Sequence, residues 1–495
     1  MTITNLLQNA DSSHAAIRTD NNVLTYAELR QQVDSLAGTL HKFGLGNGNR
    51  IALALPNGLE TIASFLAAAT VGTAAPLNPA YTRDEFKFYL EDTNAQALVV
   101  PHGGAPEARA AAAETNVSII ESSIDDSGRV QFSGQQSSLG GSAANEPDEV
   151  ALILHTSGTT SRPKRVPLKH TNLMTSARNV AMTYQLKPED VSLCVMPLFH
   201  VHGLVASTLA TFATGGTVVV PSKFNPLSFW ATVREVGATW YSAVPTIHQV
   251  LVSRAKGARP SGAEQLRFIR SCSASLAPEL MADMEATFGV PVLEAYGMTE
   301  AAHQMASNPL PPQARKAGSV GQGTAVEIGI LDEVGNVLAP GATGEVSIKG
   351  RNVFSGYEGN PEANAESFSN GWFRTGDQGV LDSEGYLTLV GRIKELINRG
   401  GEKISPREID ETLMRHPAVA EACCFAIPDR VYGEGVAAAV VLKDSATEKD
   451  LIAHCRSSLS DFKCPTTIYI MEAIPRTATG KIQRRNVAAA IAGPR

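Results

Sequence analysis

Short apolar runs separated by helical stretches recur through residues 1–390, and this rhythm limits the possible folds more than any other feature of the chain. Runs at 51–55, 97–100, 151–154, 216–220 and 326–331 are mostly apolar rather than strictly alternating. Strands buried on both faces of a sheet read this way. Stretches at 25–43, 60–71, 172–184 and 277–288 carry helical spacing instead. Strand and helix in turn predict an α/β architecture. With 495 residues the chain is too long for one core, so two or three domains are expected. Hydrophobic residues make up 43% and charged residues 18%, which excludes a disordered chain.

Several segments qualify this picture. The Gly/Ser/Gln-rich stretch at 133–144 reads as a surface loop, because the same alternation resumes beyond it. Residues 203–220 are uncharged and fairly apolar, but Gly215 and Gly216 split them. A buried helix–turn–strand is expected there rather than a membrane span. The six cysteines show no CxxC spacing, and Cys423–Cys424 sits in an apolar run, so neither a disulfide framework nor structural zinc is expected. The formal net charge of −7 supplies no field to hold a polyanion, and nucleic acid is excluded as a partner on that ground. No signal peptide, membrane partner or organelle address is visible, so a cytoplasmic location is expected.

A boundary is expected near residues 391–397, ahead of a unit of about one hundred residues, the size of a single domain. Residues 394–495 hold 15 Lys+Arg against 13 Asp+Glu, a balance of +2, and the rest of the chain carries −9. From Ile474 onward there are five Lys/Arg and no acid. Such a basic tail is either a solvated face or a contact for a phosphate-bearing ligand.

Four segments carry chemistry. In LILHTSGTTSRPKRVPL, an apolar strand runs into Thr156, Ser157, Gly158, Thr159 and Thr160, followed by Lys164. Hydroxyls and freely turning amides beside a lysine suit a polyphosphate, although a polar surface turn would have the same composition. No GxxxxGK[ST] pattern occurs, which excludes the common P-loop. EAYGMTEAAHQ follows a short apolar run and gathers Tyr296, Thr299 and Glu300 where strand-end loops hold ligands. The ring can stack a base, the hydroxyl can meet a phosphate, and the carboxylate can hold Mg²⁺. The Gly-rich segment 371–410 isolates Asp377 and Arg392 among apolar residues, and PRTATGKIQRR presents Lys481 in a flexible turn.

Together, in order and spacing, these segments resemble the signature motifs of the acyl-adenylating (ANL) superfamily over essentially the whole chain. The resemblance implies a large N-terminal domain of α/β subdomains, residues 1–392, and a small mobile α+β C-terminal domain, residues 393–495. It implies an enzyme that joins a carboxylic acid to AMP from ATP with Mg²⁺, then passes the acyl group to a thiol, usually that of coenzyme A. By motif position, Thr156 to Thr160 and Lys164 would close over the β- and γ-phosphates. Glu294, Ala295 and Tyr296 would border the adenine, Thr299 the α-phosphate, and Glu300 the Mg²⁺. Asp377 would take the ribose hydroxyls with Arg392 beside it, and Lys481 would enter from the small domain. Lys394 falls at the hinge, and Gly400 and Gly401 line the thiol's approach. Arg165 stands where the superfamily generally has Gly, a departure at the phosphate loop.

Specificity lies in the acyl pocket. HTSGTTSRPK, PLFHVHGL and YGMTEAAHQMASNPLPP most resemble the oxalate–CoA ligase subgroup. By position, His200, Ser275 and His303 would surround the distal carboxylate of oxalate. A medium-chain or aryl-acid CoA ligase and a carrier-protein-loading adenylation enzyme are the alternative readings, and a non-catalytic nucleotide-binding scaffold is a third. The oligomeric state is not legible in the sequence.

Overall fold

Buried apolar strands build two large sheets from the first three hundred or so residues. In the seven-stranded sheet the strands run Val130–Gly134, Ser118–Ile124, Ala97–Pro101, Arg50–Leu53, Thr73–Pro76, Val150–Thr156 and Lys164–Lys169 across its width. Its interior pairs are parallel, and an antiparallel pair closes each edge. In the nine-stranded sheet, Val191–Cys194, Trp240–Ala243, Phe268–Ser271 and Val292–Met298 lie side by side in parallel. The computed structural model describes all residues except Met1, Asn9, Asn21, 136–145, 157–162, 478–481 and 493–495.

Each helix expected from periodicity is present. Thr25 caps Tyr26–Lys42 through a capping box with Glu28, and the others are Leu59–Val71, His170–Thr183 and Pro278–Phe288. The run at 203–220 is buried, as expected, but its helical part is a π-helix, His202–Leu209, continued by Ala210–Phe212 and followed by the strand Thr217–Val219. Widened turns of this kind often mark functional positions. The loop expected at 133–144 falls mostly outside the described residues, and Ser133 and Gly134 end a strand. Cys423 and Cys424 lie in the core.

The alternation of helix and strand does not reach residue 390. Beyond the second sheet, Glu327–Leu331, Thr343–Lys349, Phe368–Ser369, Trp372–Leu381 and Leu387–Arg392 form an antiparallel five-stranded sheet with one short helix, Pro361–Ser367. A further five-stranded sheet begins at Ile397–Arg399 and ends at Thr467–Ile470, with the helices Pro406–Met414 and Glu448–Ser458 packed on it. Its hydrophobic core draws only on residues from Ile397 onward. The basic tail is partly tied to this unit: Arg476 meets Glu421 at 2.8 Å and Arg484 meets Asp410 at 2.7 Å.

Candidate active site

The strand Val292–Met298 crosses the centre of the site, and the turn after it supplies most of the polar groups. Glu294, Ala295 and Tyr296 are all buried on this strand. Glu294 accepts the Leu276 N–H at 2.9 Å through Oε1, and Oε2 has no partner among the described residues. Burial pushes its pKa up to about 7, partly offset by the charge of Arg407. The Tyr296 hydroxyl donates to Oδ2 of Asp377, whose Oδ1 holds Arg392 Nε at 2.8 Å. Asp377 and Arg392 face each other in register on adjacent strands, so backbone pairing fixes the ion pair. That pairing places a carboxylate, a phenol and a guanidinium together.

Glu300 lies on the single turn Thr299–Ala301 and is 5% exposed. Its Oε1 accepts the Tyr357 hydroxyl at 2.8 Å, and the Lys164 ammonium stands 4.4 Å from the centre of the same ring. Burial raises the carboxyl pKa, while Tyr357, Arg392 and Lys164 pull it back. A buried carboxylate held by one phenol has lone pairs to spare for a hard cation. Among the described residues no three His, Cys, Asp or Glu gather as a metal cage. One carboxylate completed by phosphate oxygens and water is the coordination Mg²⁺ favours, so Glu300 fits that ion. Thr299 is half-buried beside it.

Thr156 ends its strand directly opposite Lys164, the first residue of the antiparallel strand Lys164–Lys169. Ser157, Gly158, Thr159 and Thr160 lie outside the described residues, as does Lys481. Arg165 is directed toward the helix Arg83–Thr93 and the segment after Tyr357. It donates to the Asp92 carbonyl and lies 3.9 Å from Glu358, which Arg50 also holds at 2.6 Å. The cation that departs from the superfamily pattern is therefore anchored by two acids.

A third group lies where the turn returns to the sheet. His303 is buried with φ at 116°, a conformation costing roughly 1–3 kcal/mol in a residue with a side chain. The strand beside it is glycine at position 297, where a Cβ would lie 2.2 Å from the His303 carbonyl oxygen. Its Nδ1 accepts from Arg270 Nη2 at 3.3 Å, and its ring lies 5.2 Å from that of His202. His202 touches Ser242 Oγ at 2.6 Å and Ser273 Oγ at 3.0 Å, and its backbone N–H donates to His200 Nδ1 at 3.3 Å. Ser275 is exposed, two residues past Ser273.

Arg270 is the group that sequence reasoning passed over. It sits on Phe268–Ser271, fully buried, with Nε donating to the Tyr184 hydroxyl at 2.8 Å. Nη1 reaches Ser242 at 3.0 Å and Nη2 reaches Gln304 Oε1 at 3.1 Å. None of its described partners is a carboxylate. Removing an ion from water costs several kcal/mol, which hydrogen bonds to neutral groups offset only in part. The signal was present: a strand flanked by buried strands should be apolar throughout, and Phe-Ile-Arg-Ser is not. Tyr357, Ser273 and Gln304 carry no comparable mark in the sequence.

Lys394 is exposed in the turn Ile393–Glu395, between the third sheet and the fourth. Gly400 and Gly401 make the two-residue connection from Ile397–Arg399 to Glu402–Ile404 with φ of 62° and 100°. Paired positive φ values make this a connection glycine alone adopts readily.

Comparison with known proteins places the whole chain. The AMP-binding enzyme family matches residues 7–358, and the AMP-binding enzyme C-terminal domain matches residues 408–481. A probable CoA ligase of Humulus lupulus is 48% identical over 94% of this chain and 91% of its own length. The oxalate–CoA ligase of Arabidopsis thaliana is 46% identical over 94% of this chain and 93% of its own. The crystal structure of ATP-bound MatB from Rhodopseudomonas palustris matches with a TM-score of 0.90 at 29% identity, covering 99% of both chains. The apo form of the same protein matches at 0.79, with 29% identity and 98% coverage of both chains.

Proposed function

The chain belongs to the AMP-binding enzyme family, and from that premise we propose that it is an ATP-dependent oxalate–CoA ligase. A carboxylate oxygen attacks the α-phosphorus of ATP, pyrophosphate leaves with the bonding pair, and an acyl-adenylate forms. The sulfur of coenzyme A then attacks the acyl carbon, AMP leaves, and the thiol proton passes to solvent.

The observation that carries this reading is convergence within ten residues. From Glu294 to His303 the chain passes the Tyr296–Asp377–Arg392 group, then Glu300 with Tyr357 and Lys164, then the Arg270–His202–His303 group. Groups suited to ribose, to phosphate and to a small anion lie along one strand and its turn. A medium-chain or aryl acid calls for an apolar slot where this chain buries a guanidinium and two imidazoles. Relatives named as oxalate–CoA ligases support the same substrate.

The roles follow from the chemistry. Asp377 and Arg392 orient the ribose, and Tyr296 holds Asp377 against the adenine side. Lys164, Thr156 and the 157–160 hydroxyls and amides take the outer phosphates. Glu300 would hold Mg²⁺, which when bound offsets charge on the phosphate oxygens. Lys481 offsets charge developing on the reacting groups, because bringing one anion to another requires a cation between them. We place the swivel at Lys394, dividing the chain into 1–392 and 393–495, since one sheet ends at Arg392 and the next begins at Ile397. The better match to ATP-bound than to apo MatB supports an arrangement suited to the first step. Gly400 and Gly401 would then flank the thiol's path in the second.

Pyrophosphate release measured with oxalate, malonate, hexanoate and cinnamate tests the reading, each with ATP, Mg²⁺ and with or without coenzyme A. Oxalate should lead, and AMP release should require coenzyme A. A preference for hexanoate or cinnamate would overturn the substrate, and release without any acid would overturn the class.

A further inference from the structure

We propose that Arg270 is the fixed positive charge that selects a dianionic acid, acting as a positioning residue through His202 and His303. The inference rests on the oxalate reading and goes beyond it: it names the source of the charge and the way it is delivered.

A guanidinium N–H donates and never accepts. Arg270 Nη2 lies 3.3 Å from His303 Nδ1, so that nitrogen is the acceptor and the proton of a neutral ring resides on Nε2. Arg270 therefore sets the tautomer of a residue held in an unusual backbone conformation, φ 116°. On its other branch, Nη1 is 3.0 Å from Ser242 Oγ and 3.5 Å from His202 Nε2, and Ser242 Oγ is itself 2.6 Å from that nitrogen. Nε is anchored 2.8 Å from the Tyr184 hydroxyl, and Gln304 Oε1 takes the second hydrogen of Nη2 at 3.1 Å. The two imidazoles are thus oriented by the two arms of one planar group.

The site holds a permanent cation with neutral partners, Tyr184, Ser242, His202, His303 and Gln304. A structural arginine in a sheet would be matched by an acid, as Asp377 matches Arg392 and Asp190 matches Arg267 at 2.6 Å. Here the described residues supply no such acid, and an incoming acid with a second carboxylate would supply it. His303, its proton on Nε2, directs a donor to that carboxylate, His202 is held beside it by Ser242 and Ser273, and the guanidinium supplies the attraction. A monoanion leaves the charge uncompensated once its only carboxylate faces ATP, and selection against it follows from the same term.

Oxamate is the deciding probe, because it keeps the shape of oxalate and replaces the distal carboxylate by an amide. Pyrophosphate release should be measured with both acids for the wild type and for Arg270→Met and Arg270→Lys, alongside melting temperature and ATP binding. The wild type should favour oxalate over oxamate in kcat/KM. Arg270→Met should lower the oxalate value about 100-fold or more, leave oxamate within severalfold, and keep or raise the melting temperature, since it removes a buried charge. Arg270→Lys should lose efficiency and keep the preference. An unchanged oxalate-to-oxamate ratio in a folded Arg270→Met protein would overturn the inference. If the Met variant does not fold, loss of the preference in Arg270→Lys overturns it, and a retained preference supports it. A wild type that ignores oxalate altogether defeats the functional reading instead, so the two failures are told apart.

Discussion

Two arginine centres, one at Arg392 with its side chain about half exposed beside Asp377 and one at the fully buried Arg270, are built on opposite principles. Arg392 has its acid in place: Asp377 at 2.8 Å, fixed by strand register and held again by Tyr296. Arg270 is more deeply buried and its described partners are all neutral. The first centre has its charges matched within the chain, which suits the ribose-binding role proposed for it. The second is incomplete and is finished only by a ligand bearing the missing charge. Constant chemistry is served by a balanced pair, and discrimination by an unbalanced one.

The largest expected effect falls on Lys481, the cation proposed to act on every acid alike. Lys481→Ala should slow adenylate formation about 1,000-fold, because a cation aimed at charge appearing in the transition state is removed. Oxalate and any poorer acid should suffer equally, and thioester formation from preformed adenylate should be largely spared. Single-turnover assays of the two half-reactions check this. Equal losses in both halves would remove Lys481 from its assigned role and leave the first step without its cation.

Next in size, Asp377→Ala breaks the balanced pair and strands Arg392 and Tyr296. A fall of about 100-fold in kcat/KM for ATP is expected, whichever acid is supplied. That indifference to the acid is what sets this centre apart from Arg270. If Asp377→Ala altered the ratio of oxalate to oxamate, the division of labour between the two centres would fail.

The same contrast explains what could be read from the chain. The nucleotide side stood out in the sequence because Gly, Thr and isolated charges interrupt apolar flanks at Thr156 to Thr160, Glu300, Asp377 and Lys481. Strands such as Ala97–Pro101 and helices such as Tyr26–Lys42 were legible through continuous apolar runs and 3.6-residue spacing with a capping box. Of the antiparallel sheet ending at Arg392 only the strand Glu327–Leu331 was legible, through its apolar run, since strands such as Trp372–Leu381 bury alternate residues and lack the continuous signal. Arg270 was missed for another reason. Its meaning depends on Tyr184, Ser242 and Gln304, which lie 86, 28 and 34 residues away, at a helix end, on a parallel strand and on an antiparallel strand. Ser273 rather than Ser275 faces His202 because φ at Ser273 is 72°, a turn that periodicity does not reveal.

The smallest effect sharpens the comparison from the acidic side. Glu294 is also buried without full compensation, with Oε2 lacking a partner among the described residues and its pKa raised by burial to about 7. The ordinary value is 4.5, so between pH 4.5 and 7 the folded chain binds more protons than the unfolded one. Stability from this residue is therefore fully present below about pH 4.5 and is lost as the pH climbs to 7. Glu294→Gln keeps an acceptor for the Leu276 N–H and removes the titration. At pH 8 the variant should gain up to about 3 kcal/mol, seen as a higher urea midpoint, and the gain should shrink below about 1 kcal/mol by pH 5 and disappear below about pH 4. Neutral replacement should thus stabilise both uncompensated groups, Glu294 and Arg270, yet only the arginine variant should cost oxalate. A Glu294→Gln protein that lost the preference for oxalate over oxamate would show that missing charge alone does not mark the acid-selecting centre.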